Sequence, residues 1–221
     1  MYKGDRMKKE IILTPEELYY MGTILRAKYI DYAYVAAMGD ISQNRGLYES
    51  LSREGLAEKG ILMEDFSGQM EVDENARELL EPVFFGEWES SIDVASIAEE
   101  GRRTIESRRF HFYEGRITSA VPGEEGILLQ AADDGLMQAW IAGLLPEGYQ
   151  AQEETMPARN MNRKEISRIL AVKGTRVGEK SAVEIYVEYQ GKIYRELPGD
   201  MACAMSGEQF CLRVYRSVKG E

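Results

Sequence analysis

The sequence predicts an α+β fold, because two hydrophobic periodicities follow one another along its 221 residues. Before Gly86, apolar residues recur every three or four positions, as in amphipathic helices. After Gly86 they alternate, and two glycine-containing turns join alternating segments, which is typical of β-hairpins. We therefore expect an N-terminal helical region with a small hairpin, residues 1–86, and an antiparallel sheet and helix region, residues 87–221, within one compact unit.

The first helix has a well-defined start. Thr14 is a good N-cap, Pro15 suits the first helical position, and Glu17 completes a capping box. Leu18 and Met21 follow at helical spacing, so we expect one face of this helix to be buried.

A second helix is predicted from about Ser42 to Lys59, with Leu47, Leu51 and Leu56 on one side and Gly60 as its stop. Two short strands around the turn "DFSG" then precede a helix capped by Asp73. A helix, a hairpin and a further helix in this order are also how a winged-helix DNA-binding module reads.

The two predicted hairpin tips resemble each other at an offset of 76 residues. "YEGRI" begins at Tyr113 and "YQGKI" begins at Tyr189. This similarity indicates either two related halves of one sheet or convergence on the same turn chemistry. Phe112 corresponds to Glu188, which puts the apolar faces out of phase and leaves both interpretations open.

The remaining elements are a helix capped by Asp133, a polar segment without period, a short helix or strand, and a last strand. The polar segment Pro146–Asn162 is predicted to be a loop or linker, because it contains two prolines. "KEISRILAVKG" fits a helix or a strand, and the alternating apolar residues of "EQFCLRVYRSV" favour a strand.

The charge distribution argues against nucleic-acid binding. The net charge is −11, and residues 31–100, which contain the wing-like hairpin, hold 4 basic and 17 acidic groups. A field of this sign repels phosphates. The alternative is a winged-helix DNA-binding regulator whose basic patches, Arg102–Arg109 and Arg163–Lys180, outweigh the net charge locally.

No residue pattern specifies catalysis, a cofactor or a metal. His111 is the only histidine, and it alternates with two phenylalanines, which favours a solvent-facing or satisfied sheet histidine. Cys203 and Cys211 lack metal or redox spacing and are read as two buried thiols, with pairing across a hairpin as the alternative. We predict a non-enzymatic protein without cofactors; an enzyme with a carboxylate-only site is a third hypothesis.

The chain has neither a bilayer-spanning apolar run nor the hydrophobic region of a signal peptide, and it contains little cysteine. These features favour a cytoplasmic location without stable membrane insertion.

Several segments resemble the EspG-like proteins, chaperones of bacterial type VII secretion. They are the opening "LTPEELYYMGTIL", the unit of "LAEKGIL" and "SGQMEVDENARELLEPVF", and the hairpins "FHFYEGRITSA" and "VEYQGKIYREL". The resemblance implies a twisted antiparallel sheet with helices on one side and an approximate internal two-fold. It also implies a cytoplasmic adaptor or chaperone that binds a secreted helical-hairpin protein and has no catalytic residues.

We expect the partner to bind two loops, Val121–Gly126 and Pro146–Asn162, because exposed loops on a rigid scaffold commonly carry binding. The candidate residues are Val121, Pro122, Gly123, Glu124, Tyr149, Met156 and Met161. Methionine suits adaptable apolar contacts. The alternative is that Tyr149 and the two methionines anchor the segment to its own domain.

Overall fold

The computed structural model describes residues 10–36, 38, 44–97, 103–151, 153–176, 179 and 181–221. The chain divides into two compact units. The first comprises Met1–Glu87 and His111–Ala132, and the second comprises Trp88–Phe110 and Asp133–Glu221. The first unit therefore contains the predicted N-terminal region together with two further strands.

The fold class is α+β, as predicted, with a large antiparallel sheet. Twelve strands are described: β1 Glu10–Leu13, β2 Leu62–Glu64, β3 Met70–Val72, β4 Trp88–Ile97, β5 Arg103–Tyr113, β6 Arg116–Gly123, β7 Gly126–Ala132, β8 Glu154–Pro157, β9 Ile166–Arg176, β10 Ala182–Tyr189, β11 Lys192–Leu197 and β12 Met201–Ala204. Ten are hydrogen-bonded in the order β1-β7-β6-β5-β4-β9-β10-β11-β12-β8, and β2 pairs with β3 separately.

Six α-helices lie in the described part of the chain: α1 Pro15–Ile24, α2 Tyr32–Val35, α3 Arg45–Glu58, α4 Glu74–Phe85, α5 Asp134–Ala142 and α6 Gly207–Lys219. The predicted capping box of α1 is present, since Thr14 Oγ1 accepts from the Glu17 amide and Glu17 Oε2 accepts from the Thr14 amide. The predicted start of the second helix, Ser42, lies outside the described residues.

The first unit buries one face of its strands beneath helices. Leu13, Leu18, Leu80 and Leu129 are fully buried in its apolar core. The β2–β3 hairpin joins α3 to α4, so the predicted helix–hairpin–helix order is present.

The prediction that Leu47, Leu51 and Leu56 lie on one side of α3 is wrong. Leu47 is 59% exposed and Leu51 is 56% exposed, whereas Leu56 is fully buried. Successive α-helical residues are about 100° apart, so Leu56 points away from the other two leucines. Ser52, one turn before Leu56, is also buried, so these two residues mark the face of α3 that meets the core.

The predicted last strand is a helix, α6. Ser206 and Gln209 form a capping box at its start, and Gly220 ends it in the left-handed conformation. Phe210, Val214 and Val218 are fully buried at a spacing of four residues. These signals are those of an amphipathic helix, and they override the local alternation that favoured a strand.

The predicted loop Pro146–Asn162 contains a strand. Its residues Glu154–Pro157 form β8, which pairs with β12 at one end of the strand order. A proline is tolerated there because an edge strand leaves one row of backbone groups unpaired. The segment "KEISRILAVKG", left open between helix and strand, contains most of β9.

The order of elements repeats along the chain. Strands β4–β7 followed by α5 match strands β9–β12 followed by α6, and β4 pairs antiparallel with β9. Glu114 and Gly115 both have positive φ, as do Gln190 and Gly191, so the two similar tips adopt the same kind of turn. The first strands of the two hairpins, β5 and β10, also bury the same positions before their tips, despite the mismatch of Phe112 and Glu188.

Equivalent positions of the two repeats are buried alike. Phe110 and Tyr186, 76 residues apart, are both fully buried strand residues. Met137 and Phe210, 73 residues apart, are both fully buried helix residues. The two hairpins therefore lie in a repeated order of strands followed by a helix, which favours two related halves over convergence on the same turn chemistry.

In the second unit, α5 and α6 run antiparallel. The Lys219 Nζ at the end of α6 lies 3.0 Å from the Asp134 Oδ1 at the start of α5. Gly207 at the start of α6 lies beside Leu145 and Tyr149, which follow the end of α5. Helix α6 packs on β4 and β9 and against α5, and it thereby acquires a fixed position on the sheet.

Candidate partner-binding cleft

Three neighbouring strands of the second unit, β10, β11 and β12, place a row of side chains on one face of the sheet. Helix α6 covers one end of this row and leaves the other end open. Strand register places Tyr186 opposite Arg195, and Arg195 opposite Cys203. Residues directly opposite each other in antiparallel strands point to the same face. Tyr186 is covered by Phe210 of α6, with ring centroids 5.4 Å apart, whereas Arg195 and Cys203 are only partly buried.

The α6 cleft is the open space of about 500 Å³ between α6 and this outer part of the sheet. Its size falls within the range typical of ligand sites. Its cationic and apolar lining residues are Arg195, Arg213 and Arg216 together with Leu197, Met205 and Leu212. Two carboxylates, Glu153 and Glu221, also line it, and Glu184 beside it pairs with Arg195 and Arg213, so Arg216 is the lining arginine without an ion pair among the described residues.

Helix geometry explains why α6 presents one side to the cleft. Gln209, Leu212, Arg213 and Arg216 recur at three- and four-residue intervals and form a stripe beside the buried stripe of Phe210. The capping box and the buried residues of α6 fix the position of the helix. The cleft-lining stripe therefore lies beside the uncovered part of the sheet.

Glu184 of β10 joins α6 to the sheet beside the cleft. Its carboxylate accepts hydrogen bonds from Arg213, from Ser217 Oγ at 2.9 Å and from Tyr186 Oη at 2.7 Å. Arg195 Nη2 lies 3.5 Å from it. Arg195 and Arg213 therefore share the Glu184 carboxylate as their counter-charge.

This network sets the protonation states of its members. Burial alone would raise the pKa of Glu184, but the hydrogen bonds from Tyr186, Arg213 and Ser217 outweigh it and hold the pKa below its ordinary value. Burial and the bond to Glu184 strongly raise the pKa of Tyr186. Glu184 is therefore a carboxylate and Tyr186 a neutral phenol at neutral pH.

Two donors of the cleft have no acceptor within the described residues. Arg213 Nε is buried without a hydrogen-bond partner, although Arg213 Nη2 donates to Glu184. Arg216 is exposed and its guanidinium makes no ion pair in that part of the chain. Neither arginine was predicted as a binding residue, because the segment that contains them was predicted to be a strand; the Ser206–Gln209 capping box is the sequence signal for the helix.

The first group of predicted partner-binding residues belongs to the first unit. Val121, Pro122 and Gly123 lie in β6, and Glu124 lies in its turn with β7. Val121 is half-buried and the other three residues are exposed. In the repeat, Val121 corresponds to Leu197 of the α6 cleft, 76 residues later.

The second predicted group belongs to the second unit and contacts its core. Tyr149 Oη donates to the Met205 carbonyl at 2.8 Å and accepts from the Ile193 amide at 3.0 Å. Met156 and Met161 pack against a buried cluster that includes Tyr194. These contacts favour the anchoring alternative for all three side chains, while Glu153 of the same segment lines the α6 cleft.

The histidine and the two cysteines occupy positions that suit structural roles. His111 is buried, and its Nε2 lies 2.6 Å from Tyr34 Oη, as expected for a satisfied sheet histidine. Cys203 and Cys211 are free thiols, each partly buried. Within the described residues, no group of three or more histidine, cysteine or acidic side chains is placed to hold a metal ion.

Several cations of the two basic patches are occupied within the chain. Arg108 lies 5.0 Å from the Trp140 ring centroid, and burial lowers its pKa. Arg168 binds Glu188 and the Leu144 carbonyl, and Lys173 Nζ lies 2.8 Å from Asp93 Oδ2. The patch ends Arg102 and Lys180 lie outside the described residues. These internal contacts compete with phosphate binding.

Comparison with known proteins finds no protein-family model and no curated protein sequence that matches this chain. Among the helices that the structure describes, none combines the length and apolar character needed to cross a bilayer.

Proposed function

We propose that this protein is a non-enzymatic cytoplasmic adaptor or chaperone that binds a secreted helical protein, in the manner of a type VII secretion chaperone. The observation that carries the proposal is the α6 cleft, an open concave surface on which Leu212 is 49% exposed beside two arginines. Exposed apolar groups rimmed by polar ones are typical of protein-binding surfaces.

The chemistry of the cleft supports binding rather than catalysis. Cys203 and Ser217 line the cleft without a histidine among the other lining residues, and such groups ordinarily require a neighbouring base to act as nucleophiles. The partly buried carboxylate beside the cleft, Glu184, is held by hydrogen bonds that favour its ionised form. Such a carboxylate is a structural anchor for α6 and a weak proton acceptor.

The repeated order of strands followed by a helix supports the kind of adaptor proposed. An approximate internal two-fold and an antiparallel sheet are what the resemblance to EspG-like proteins implies, and the order of elements agrees with both. The partner class, a secreted helical-hairpin protein, comes from that resemblance.

Affinity purification of the tagged protein from its own cell tests the proposal. We expect a small helical partner that carries a secretion signal to elute with it and to remain bound through size-exclusion chromatography. Recovery of the tagged chain alone would overturn the proposal. A parallel gel-shift at low salt with duplex DNA addresses the regulator hypothesis, for which salt-sensitive retardation is the positive result.

A further inference from the structure

The spacing of Arg213 and Arg216 matches that of two carboxylates on one face of a helix. Arg213 and Arg216 are three residues apart, so they are separated by about 4.5 Å along the axis of α6. Carboxylates three or four residues apart on a second helix have a similar separation and face the same direction. A helix lying alongside α6 would therefore present one carboxylate to each arginine.

Arg213 and Arg216 differ in how accessible they are to a ligand. Arg216 is exposed and makes no ion pair within the described residues, so its charge is free to attract a ligand. Arg213 Nε is buried and unsatisfied, which is unfavourable in the free protein. The Arg213 side chain as a whole is 40% exposed, so a carboxylate in the cleft would approach its exposed part, where a charged acceptor makes a stronger hydrogen bond than a neutral one.

The rest of the cleft is suited to the apolar side of the same ligand. Leu197 and Met205 come from the sheet and Leu212 from α6, so apolar groups line both walls. Leu212 is 49% exposed in the free protein, and an apolar contact would remove that surface from water. The ligand that matches both features is amphipathic.

Charge complementarity selects an acidic ligand. The whole chain carries −11, yet residues 161–221 hold 11 basic and 8 acidic groups. An acidic segment is therefore repelled by most of the protein and attracted by this part of it, which favours one docking position over others.

We propose that the α6 cleft binds an acidic amphipathic helix of a protein partner. Two of its carboxylates, one helical turn apart, bind Arg213 and Arg216, and its apolar side chains pack on Leu212 and Met205. This assignment rests on the proposed function, because it names the chemistry of the partner segment.

A phage-displayed library of random 16-residue peptides, selected on the full-length protein, tests the assignment without knowledge of the partner. We expect selected peptides to be enriched in Asp or Glu three or four positions apart, together with Leu, Met or Phe. Fluorescence polarisation of one selected peptide then gives dissociation constants for the wild type and four variants.

The variants form two matched pairs. Arg216→Glu removes a cleft arginine, and Arg159→Glu changes an exposed arginine that does not line the cleft. Leu212→Gln removes a side chain that is 49% exposed, and Val183→Gln removes one that is 50% exposed elsewhere in the unit. We expect the first of each pair to weaken binding about tenfold and the second to leave it unchanged.

Three results would overturn the assignment. They are peptides without acidic enrichment or no selected peptide, equal losses in both members of a pair, and displacement of the peptide by succinate at concentrations near its own. The last would indicate a site for small free acids. If a partner co-purifies but Arg216→Glu does not weaken it, the proposed function stands and this site is wrong; if peptides bind as expected but no partner co-purifies, the reverse holds.

Discussion

Arg213 of α6 donates a hydrogen bond to Glu184 of β10, and the pair joins helix to sheet at the wall of the α6 cleft. The equivalent positions of the first repeat hold Trp140 on α5, 73 residues earlier, and Arg108 on β5, 76 residues earlier. Arg108 lies over the Trp140 ring there. One strand–helix contact therefore occurs twice, as a cation–π contact and as an ion pair, and in the second repeat it lies beside the α6 cleft.

Glu184→Gln should destabilise the fold. The change leaves Arg213 and Arg195 without their shared counter-charge and weakens the bonds from Tyr186 and Ser217, so we expect a loss of about 1–3 kcal/mol in the free energy of unfolding. Urea denaturation at pH 7 measures it. Glu196→Gln, an exposed change on the neighbouring strand β11, is the control, and an equal effect of both substitutions would contradict the role given to Glu184.

The same carboxylate should make stability fall in acid. The folded-state pKa of Glu184 is lowered, so its contribution is complete above the unfolded-state pKa of about 4.3 and is lost as the pH falls through the folded value. The difference in unfolding free energy between wild type and Glu184→Gln should therefore be constant from pH 7 to pH 5 and shrink below pH 4. A difference that stays constant down to pH 2.5 would show that Glu184 does not titrate with folding.

Tyr34→Phe tests the buried pair in the first unit. The substitution removes the hydroxyl that lies 2.6 Å from His111 Nε2, and we expect a loss of about 1–3 kcal/mol because the buried imidazole loses that bond. Tyr32→Phe makes the same chemical change on the same helix, where the side chain is 74% exposed, and should leave the thermal midpoint almost unchanged. Indistinguishable midpoints for the two variants would contradict the hydrogen bond.

Two leucines of α3 provide a paired test of its orientation. Leu56→Ala should cost about 2–5 kcal/mol, since Leu56 is fully buried. Leu51→Ala is the same substitution in the same helix at a position 56% exposed, and we expect an effect within about 0.5 kcal/mol. Chemical denaturation of both variants decides the matter, and comparable losses would favour the single buried leucine face that the sequence predicted.

Local signals in the sequence were sufficient for elements whose evidence lies within a few residues. The capping box at Thr14 and the turn at Gly115 are of this kind, and both were predicted correctly. The strand β8 was missed because four residues that end in a proline resemble a loop until a neighbouring strand pairs with them. The exposure of Leu51 depends on which face of α3 meets the core, and spacing alone does not determine that.

The α6 cleft could not be predicted from the sequence, because it also depends on how distant elements pack together. Arg195 belongs to β11 and Arg216 to α6, and they line one surface only because strand register and helix packing place them there. In a strand, Leu212 would share one face with Phe210 and Val214, because side chains alternate with a period of two. In the helix it leaves that buried row and enters the cleft.

The solution mass of the tagged protein purified from its own cell, measured by light scattering after size exclusion, tests the central claim most directly. We expect the wild type and Arg159→Glu to elute above the mass of the tagged chain, 25.1 kDa plus the tag, by the mass of one small helical protein. We expect Arg216→Glu to carry less of that protein and to elute closer to the mass of the tagged chain alone. A wild-type mass equal to that of the tagged chain, or a whole multiple of it with no second protein in the peak, would contradict the proposed function.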